Sequence, residues 1–386
     1  MECCKLESMS KVSYGVKREK AKVKKIVMYI DSMGHGGAQR VMSILIDNLT
    51  KSKVHVVLVN DFKLNNNEAQ YFIDEGVKRY YLQDKIEGDF FSKNIKRIHT
   101  LRKIIKFEKP DIVLSFLGNP NKRMLLATIG ISVRKVVSVR NDPNKEYGAG
   151  AFHRIIANLI LGLSDGVIFQ TKDAQKYFSK SIQKKSEVIF NPVSDVFFDT
   201  KYIGDEKTIV SIGRLEQQKN NALLINAYAK IADKYPDYRL VFYGQGSLAK
   251  ELQQLCSDLH ISSRVVFAGD TNNVSEVLEH CGLFVLSSDY EGMPNSLMEA
   301  MAVGVPCIST DCPCGGPKEL IVNGQDGVLV DVGNLKQLED AICMLLNDDI
   351  SRCRLGQNAK EETLRLKSSI ICEKWKSFFE KVMNCM

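Results

Sequence analysis

Two glutamates, Glu291 and Glu299, enclose the run EGMPNSLME directly after the apolar stretch LFVLSS at 283–288. This order predicts a strand, a short loop broken by Gly292 and Pro294, and then a helix. In open parallel sheets such a loop lies at the carboxyl edge of the strands, where ligands bind. Met293, Pro294, Asn295, Ser296 and Leu297 would open the helix, and the unpaired N–H groups of a helix start suit a phosphate. Both carboxylates fall at the same mouth and can accept hydrogen bonds from hydroxyls. A ligand with two phosphates between hydroxyl-rich rings, such as a sugar nucleotide, matches that arrangement.

Cations and glycines recur at other expected strand ends. Gly213-Arg214-Leu215-Glu216-Gln217-Gln218-Lys219-Asn220 follows the stretch TIVSIG, so Arg214 and Lys219 flank a turn. A guanidinium fork with an ammonium point charge suits a diphosphate that gains negative charge; two solvated surface cations are the alternative. Near the amino end, DSMGHGGAQR at 31–40 places Gly36 and Gly37 after another apolar run. A dinucleotide fingerprint would need glycine where Gln39 stands, and Asp61 only nearly supplies its acidic partner. A phosphate or sugar contact and a ligand-free tight turn both remain open there. Gly244 permits close backbone approach after RLVFYG, and the backbone at Phe267 could read the edge of a base. Gly315-Gly316-Pro317-Lys318-Glu319 could close the same site. Cys312 and Cys314 read as loop thiols or as half of a metal site whose second half the sequence lacks.

These loops need sheets to hold them. Apolar runs at 25–30, 54–59, 111–116, 135–139, 166–170 and 187–190 alternate with helix-like stretches such as 38–50, 94–108 and 152–163. A second series runs through 208–213, 239–244, 264–269, 283–288, 305–310 and 327–330. The alternation predicts an α/β protein of two Rossmann-like domains, with parallel sheets facing across a cleft. Asn191-Pro192-Val193 and the polar stretch after it mark the break. The expected parts are a flexible basic tail (1–22), a first Rossmann-like domain (23–192), a second Rossmann-like domain (193–368) and a terminal helix (369–386) that packs back on the first domain. The 386 residues carry a net charge of +7, of which residues 1–25 supply +5, so the body is nearly neutral and a broad nucleic-acid face is not expected. There is no apolar run long enough to span a membrane and no signal-peptide core. The 11 cysteines follow no repeated spacing. A cytoplasmic protein with reduced thiols is the expectation.

The motifs GR-L-x4-K (213–219), FYGQGS-x3-EL (242–252), V-x-F-x-G (265–269), EGMPNSLMEAMAVGVPCIST (291–310) and GGPKELI-x-NGQDG (315–327) together resemble the retaining glycosyltransferases of family four. The resemblance runs from about residue 25 to residue 380 and includes Gly36-Gly37-Ala38-Gln39-Arg40. It implies the GT-B architecture, in which the first domain is the acceptor side and the second binds the nucleotide sugar. It also implies a sugar nucleotide donor, with UDP as the expected carrier and no further cofactor or metal. By resemblance, Arg214 and Lys219 hold the diphosphate, Glu291 meets donor-sugar hydroxyls, Met293 to Leu297 contact phosphate or sugar, and Glu299 accepts from the ribose. The implied acceptor is a glycan or lipid-linked oligosaccharide of a bacterial cell-surface polysaccharide. Many members carry a histidine in the first domain, whereas residues 115–121 read SFLGNPN here. Asn119 falls in that neighbourhood, and Asp142 can be read as an acid/base group or as a loop cap. The lack of an evident base fits front-face transfer, in which the leaving phosphate takes the acceptor proton.

Residues 93–109 contain Lys93, Lys96, Arg97, Arg102, Lys103, Lys106 and Lys109, with Ile95, Ile98, Leu101 and Ile105 at helical spacing. This is either a sheet-covering helix with a basic outer face or, with the basic tail, an attachment to anionic lipid at the inner face of the cell membrane. Other functions of the same architecture stay open. They include a sugar-nucleotide epimerase, a phosphorylase, and a non-catalytic nucleotide-sugar-binding partner subunit. A Rossmann oxidoreductase is disfavoured by Gln39.

Overall fold

A computed structural model describes residues 22–34, 36–64, 70–83 and 90–384. The basic tail up to residue 21 and His35 of the first glycine loop lie outside the described residues. The chain forms two parallel sheets, both flanked by helices. The first contains β1 (Lys25–Ile30), β2 (His55–Phe62), β3 (Lys78–Gln83), β4 (Ile112–Phe116), β5 (Arg134–Ser138), β6 (Gly166–Phe169) and β7 (Ser186–Val188), in the order β3-β2-β1-β4-β5-β6-β7. The second contains β8 (Thr208–Ile212), β9 (Arg239–Tyr243), β10 (Val265–Gly269), β11 (Leu283–Leu286), β12 (Cys307–Thr310) and β13 (Val328–Val330), in the order β10-β9-β8-β11-β12-β13. All neighbouring strands pair in parallel. This is the GT-B architecture of two Rossmann-like units that the sequence predicts.

The first sheet has one strand more than the apolar runs suggest. β3 reads KRYYLQ and sits at the sheet edge beside β2. An edge strand needs only one neighbour and is commonly rich in charge, which also discourages pairing with other chains. It therefore has no continuous apolar signal.

Helices cover both faces of the first sheet. On one side α1 (Gly37–Lys51) buries Val41, Met42, Leu45, Ile46 and Leu49, one helical stripe. On the other side stand α2 (Phe90–Glu108), α3 (Gly118–Ala127) and α5 (Ala151–Gly162), with the short α4 (Pro143–Glu146) between the last two in sequence. In α2, Leu101 and Ile105 are buried and Ile98 packs against the same core. These three residues face the sheet, whereas Ile95, at the same helical spacing, is exposed. Arg102 donates to the Ala127 and Ile129 carbonyls (2.8 and 2.6 Å) and so caps the end of α3.

The chain's last helix, Ser368–Asn384, crosses back to the first sheet. Trp375 is fully buried, with its ring 5.6 Å from Phe116 at the end of β4 and 5.7 Å from Phe379. A Cβ on Gly166 in β6 would come within 2.8 Å of Phe378 and Val382, so the absence of a side chain lets the helix approach. Lys381 reaches Glu187 at 2.7 Å. Trp375→Ala should cost about 3–5 kcal/mol, the usual range for a buried tryptophan. Trp375→Phe should cost much less, since Trp375 Nε1 has no hydrogen-bond partner to lose. Thermal unfolding of both variants checks the ranking.

Candidate functional site

A cleft of about 670 Å³ lies between the two sheets, at the carboxyl edge of both. Its walls come from the loops after β1 and β4 in the first unit and after β8 and β11 in the second. Those are the central strands at which each sheet's order reverses, and a parallel sheet leaves a crevice at that point. Gly36, Gly37, Arg214, Lys219 and Gly244 all line the cleft. So do Glu291, Met293, Pro294, Asn295, Ser296 and Glu299. The four charged groups picked out from the sequence therefore share one cavity.

Phe267 and Leu297, both expected at the donor site, do not line it. Phe267 lies in the edge strand β10, paired with β9 on one side, with its ring stacked on Phe242 at 5.3 Å. The wall beyond β10 is formed instead by Asp270 and Thr271. Leu297 is fully buried, because the third residue of an amphipathic helix points into the core here. Only its backbone N–H belongs to the first turn that opens on the cleft.

The helix Asn295–Val303 begins at Pro294 without a side-chain cap, so its first-turn N–H groups are not covered by a local acceptor. Glu291, 6% exposed, precedes it and is held from three sides. Its Oε1 accepts from Lys219 Nζ at 2.6 Å and from Ser288 Oγ at 2.7 Å; Oε2 accepts from Gln218 Nε2 at 3.3 Å. The loop carrying Lys219 is fixed in turn. Asn220 adopts the left-handed conformation (φ 43°), caps the helix Asn221–Ile231 through Leu223 N–H, and donates to Asp289 at 2.7 Å. Ser287 Oγ reaches the carbonyls of Lys219 and Asn220, both at 3.0 Å. Arg214 is exposed, and its guanidinium donates to Gln218 Oε1 at 3.5 Å. Lys219 is thus preset while Arg214 is able to swing. Gly244 has φ 131°, and a Cβ there would lie 2.1 Å from the Gly213 carbonyl oxygen. Glycine is required so that the loops after β8 and β9 can lie against each other.

Glu299 is 4% exposed and pairs across the cleft with Arg40 of α1, at 2.6 Å. Burial pushes its carboxyl up from the ordinary range, and Arg40 opposes that shift. Arg40 engages one oxygen, Oε1, and a carboxylate has acceptor capacity beyond that. The same guanidinium sits over the Phe197 ring, 5.2 Å from its centre. The sequence reading placed Arg40 in a glycine loop without giving it this partner.

Asn191 joins the two units. Its Oδ1 accepts from Arg140 and Gln170, each at 2.6 Å. Its Nδ2 donates to Asn295 Oδ1 at 2.6 Å and to the Met293 carbonyl at 3.2 Å. All the hydrogen-bonding positions of its amide are used, so this buried side chain is fully satisfied. Asn295 continues to the Gly37 carbonyl at 3.2 Å. A Cβ on Gly292 would lie 2.6 Å from the Arg140 carbonyl oxygen, so only glycine lets the units meet this closely.

Arg140 and Asn141 line the cleft, as their place after β5 suggests. Asn119 does not: it is exposed on α3, and Leu117 lines the wall in its stead. Leu117 has φ 76° and ψ 149°, a region that residues with a side chain rarely adopt. Asp142 accepts from Asn144 N–H at 3.0 Å and caps α4, so the loop-cap reading describes it. Gly315 and Lys318 line a separate hollow of about 500 Å³ and not the main cleft. Lys318 pairs with Asp173 at 2.8 Å and Glu319 accepts from Lys172 N–H, which makes this segment a clasp between the units. Cys312 and Cys314 are buried thiols, both pushed up to about 12 by burial. Among the described residues, no group of three His, Cys, Asp or Glu side chains is placed to hold a metal ion. Asp61, the nearest match to a dinucleotide acid, is tied to Tyr29 at 2.6 Å and Arg123 at 2.6 Å inside the first unit.

Residues 194–362 match the family described as glycosyl transferases group 1. Over 355 residues the chain is 30% identical to the Campylobacter jejuni N-acetylgalactosamine-N,N'-diacetylbacillosaminyl-diphospho-undecaprenol 4-alpha-N-acetylgalactosaminyltransferase; the match covers 88% of this chain and 94% of that protein. Sucrose-phosphate synthase from Thermosynechococcus elongatus shares the fold with a TM-score of 0.81 at 16% identity, over 94% of this chain and 100% of that one. Anabaena HepE, solved with UDP and glucose, does so with a TM-score of 0.75 at 18% identity, over 92% and 98%.

One carboxyl behind the cleft wall gives a testable pH effect. Glu146 Oε2 accepts from the N–H groups of Arg140 and Asn141 at 2.9 and 3.0 Å, while Oε1 is buried without a partner. Burial pushes this carboxyl up to about 7. The folded protein then holds a proton that the unfolded chain releases near its ordinary value. The stabilisation from this proton is complete below about pH 4.5 and is lost as pH rises towards 7. Glu146→Gln should remove that dependence, worth on the order of 1–3 kcal/mol. Melting temperatures at pH 5 and pH 8 should show wild type losing ground to the variant at the higher pH.

Proposed function

This chain belongs to the group 1 glycosyltransferases, and from that membership we propose that it moves a sugar from a UDP-sugar to a lipid-linked glycan with retention of anomeric configuration. The observation that carries the proposal is the shared cleft, in which Arg214, Lys219, Glu291 and Glu299 stand around an uncapped helix start. Its volume of about 670 Å³ falls within the roughly 300–1,000 Å³ of small-molecule sites. The Campylobacter relative, whose acceptor is a diphospho-undecaprenol glycan, supports the acceptor class. The UDP held by the Anabaena neighbour supports the carrier. The setting we infer is bacterial cell-surface polysaccharide assembly at a membrane surface.

On this reading the diphosphate lies against the first turn of Asn295–Val303, with Lys219 and Arg214 on its outer oxygens. Glu299 accepts from the ribose hydroxyls, and Glu291 orients the transferred sugar while keeping Lys219 in place. The acceptor oxygen attacks the anomeric carbon on the face that the phosphate leaves. The bond from that carbon to the phosphate oxygen breaks, and the acceptor proton passes to the departing oxygen. Negative charge grows on the diphosphate as this happens, and preset cations with aligned N–H groups favour the transition state most. The transfer is accordingly proposed to need neither metal nor further cofactor.

The direct experiment uses purified enzyme, a panel of UDP-sugars and a polyprenyl-diphosphate glycan, with EDTA present. The product should carry the donor's anomeric configuration by NMR. An inverted product, or dependence on an added divalent ion, would contradict the corresponding part of the proposal. Two variants separate the roles. Glu299→Ala should weaken UDP binding by roughly 10- to 100-fold in calorimetry, the value of one or two shielded carboxylate–hydroxyl bonds. Lys219→Ala should lower kcat by about 100-fold or more with a smaller change in KM.

A further inference from the structure

The outer surface of the first unit carries an apolar stripe that the cleft does not use. α2, α3, α5 and the helix Lys180–Lys184 stand side by side on one face of the first sheet. In α5 (AFHRIIANLILG), Ala157 and Leu161 are buried towards the sheet. Phe152 and Leu159 are each 70% exposed, Ile155 is 59% exposed, and Ile156 and Leu163 are exposed as well. At 3.6 residues per turn these five side chains occupy one arc of about 100°. Single exposed apolar residues are ordinary, whereas a continuous stripe marks a surface that meets something apolar.

The charge around it says what. The four helices contain 11 Lys and Arg and one carboxylate, Glu108. Glu108 is 6% exposed and pairs with Lys25 and Lys78, so these helices present no acid to the outside. Lys96, Lys103, Lys106, Arg154, Lys180 and Lys184 are exposed. A second copy of the same face would set like charges against like. An anionic bilayer complements both the cations and the apolar stripe.

We propose that this helical face, centred on α5, docks the protein on an anionic lipid surface. The sequence pointed to α2, whose Leu101 and Ile105 are spent on the sheet while Ile95 and Phe107 stay exposed. α5 has its sheet-facing residues and a second apolar side left over. The connection from β5 through α4 to α5 begins with Arg140 and Asn141, which line the cleft, so the Phe152 end of the helix is the end nearer the cleft. Docking would bring the first unit's wall close to an acceptor whose lipid remains in the bilayer. That consequence rests on the acceptor proposed above; the stripe and its charge do not.

Sedimentation of the full chain with vesicles tests the docking. Wild type should partition onto phosphatidylcholine vesicles containing phosphatidylglycerol, lose this binding as salt rises, and ignore pure phosphatidylcholine. Phe152→Ser with Leu159→Ser should lower the partition about tenfold or more. Lys180→Glu with Lys184→Glu should lower it several-fold, and both variants should keep the wild-type melting temperature because the positions are exposed. Equal partition of wild type and the serine variant would overturn the proposal. So would a wild-type dimer in light scattering that the serine variant abolishes, since the stripe would then serve self-association. Partition is read without any donor. Vesicle binding in a protein that transfers no sugar would uphold the docking and reject the transfer reading.

Discussion

A parallel sheet presents its adjustable loops at one edge, and this chain sets two such edges against each other. The order of both sheets reverses at their centre, between β1 and β4 and between β8 and β11. The loops after those four strands have room to turn apart, and a crevice remains between them. Nearly everything that can do chemistry here lies on these loops. The terminal helix holds the geometry from behind, with Trp375 against Phe116 at the end of β4. Packing at the rear of one sheet is therefore linked to the wall of the cleft through a single strand.

Within the crevice, two buried carboxylates are kept usable by pairing. An isolated buried carboxylate takes up a proton instead of staying charged. Glu291 has Lys219 as its ion-pair partner at 2.6 Å, and Arg40 opposes this uptake at Glu299. The first pair lies within the second unit, while the second spans the cleft. Glu299 thus depends on the two units staying together, and Asn191 and Asn295 supply much of that contact. Lys219 has a second use, because it is already largely out of water when a diphosphate arrives.

Sequence legibility followed the physics of each element. All six strands of the second sheet are apolar runs, and the inner β8, β11 and β12 are covered on both faces, so each announces itself. β3 was missed because an edge strand of Lys, Arg and Tyr has no such run. The loop positions of Arg214, Lys219, Glu291 and Glu299 follow from strand ends and glycines alone. Side-chain direction does not: Leu297 turns into the core although its neighbours line the cleft. Partners across the two units were equally hidden, since Arg40 and Glu299 are far apart in the chain. Asn191 had a signal, its place beside Pro192 at the break between units, but a domain break is not normally read as a hub. The basic helix α2 drew attention through its charge. The less charged α5 had the exposed stripe, which only burial could distinguish from a core-facing one.

A crystal structure of the protein with UDP tests the central claim most directly. The account predicts the diphosphate between the start of the helix Asn295–Val303 and the side chains of Lys219 and Arg214, with the ribose hydroxyls on Glu299. UDP bound outside the cleft, or inside it with its phosphates away from those two cations, would contradict it.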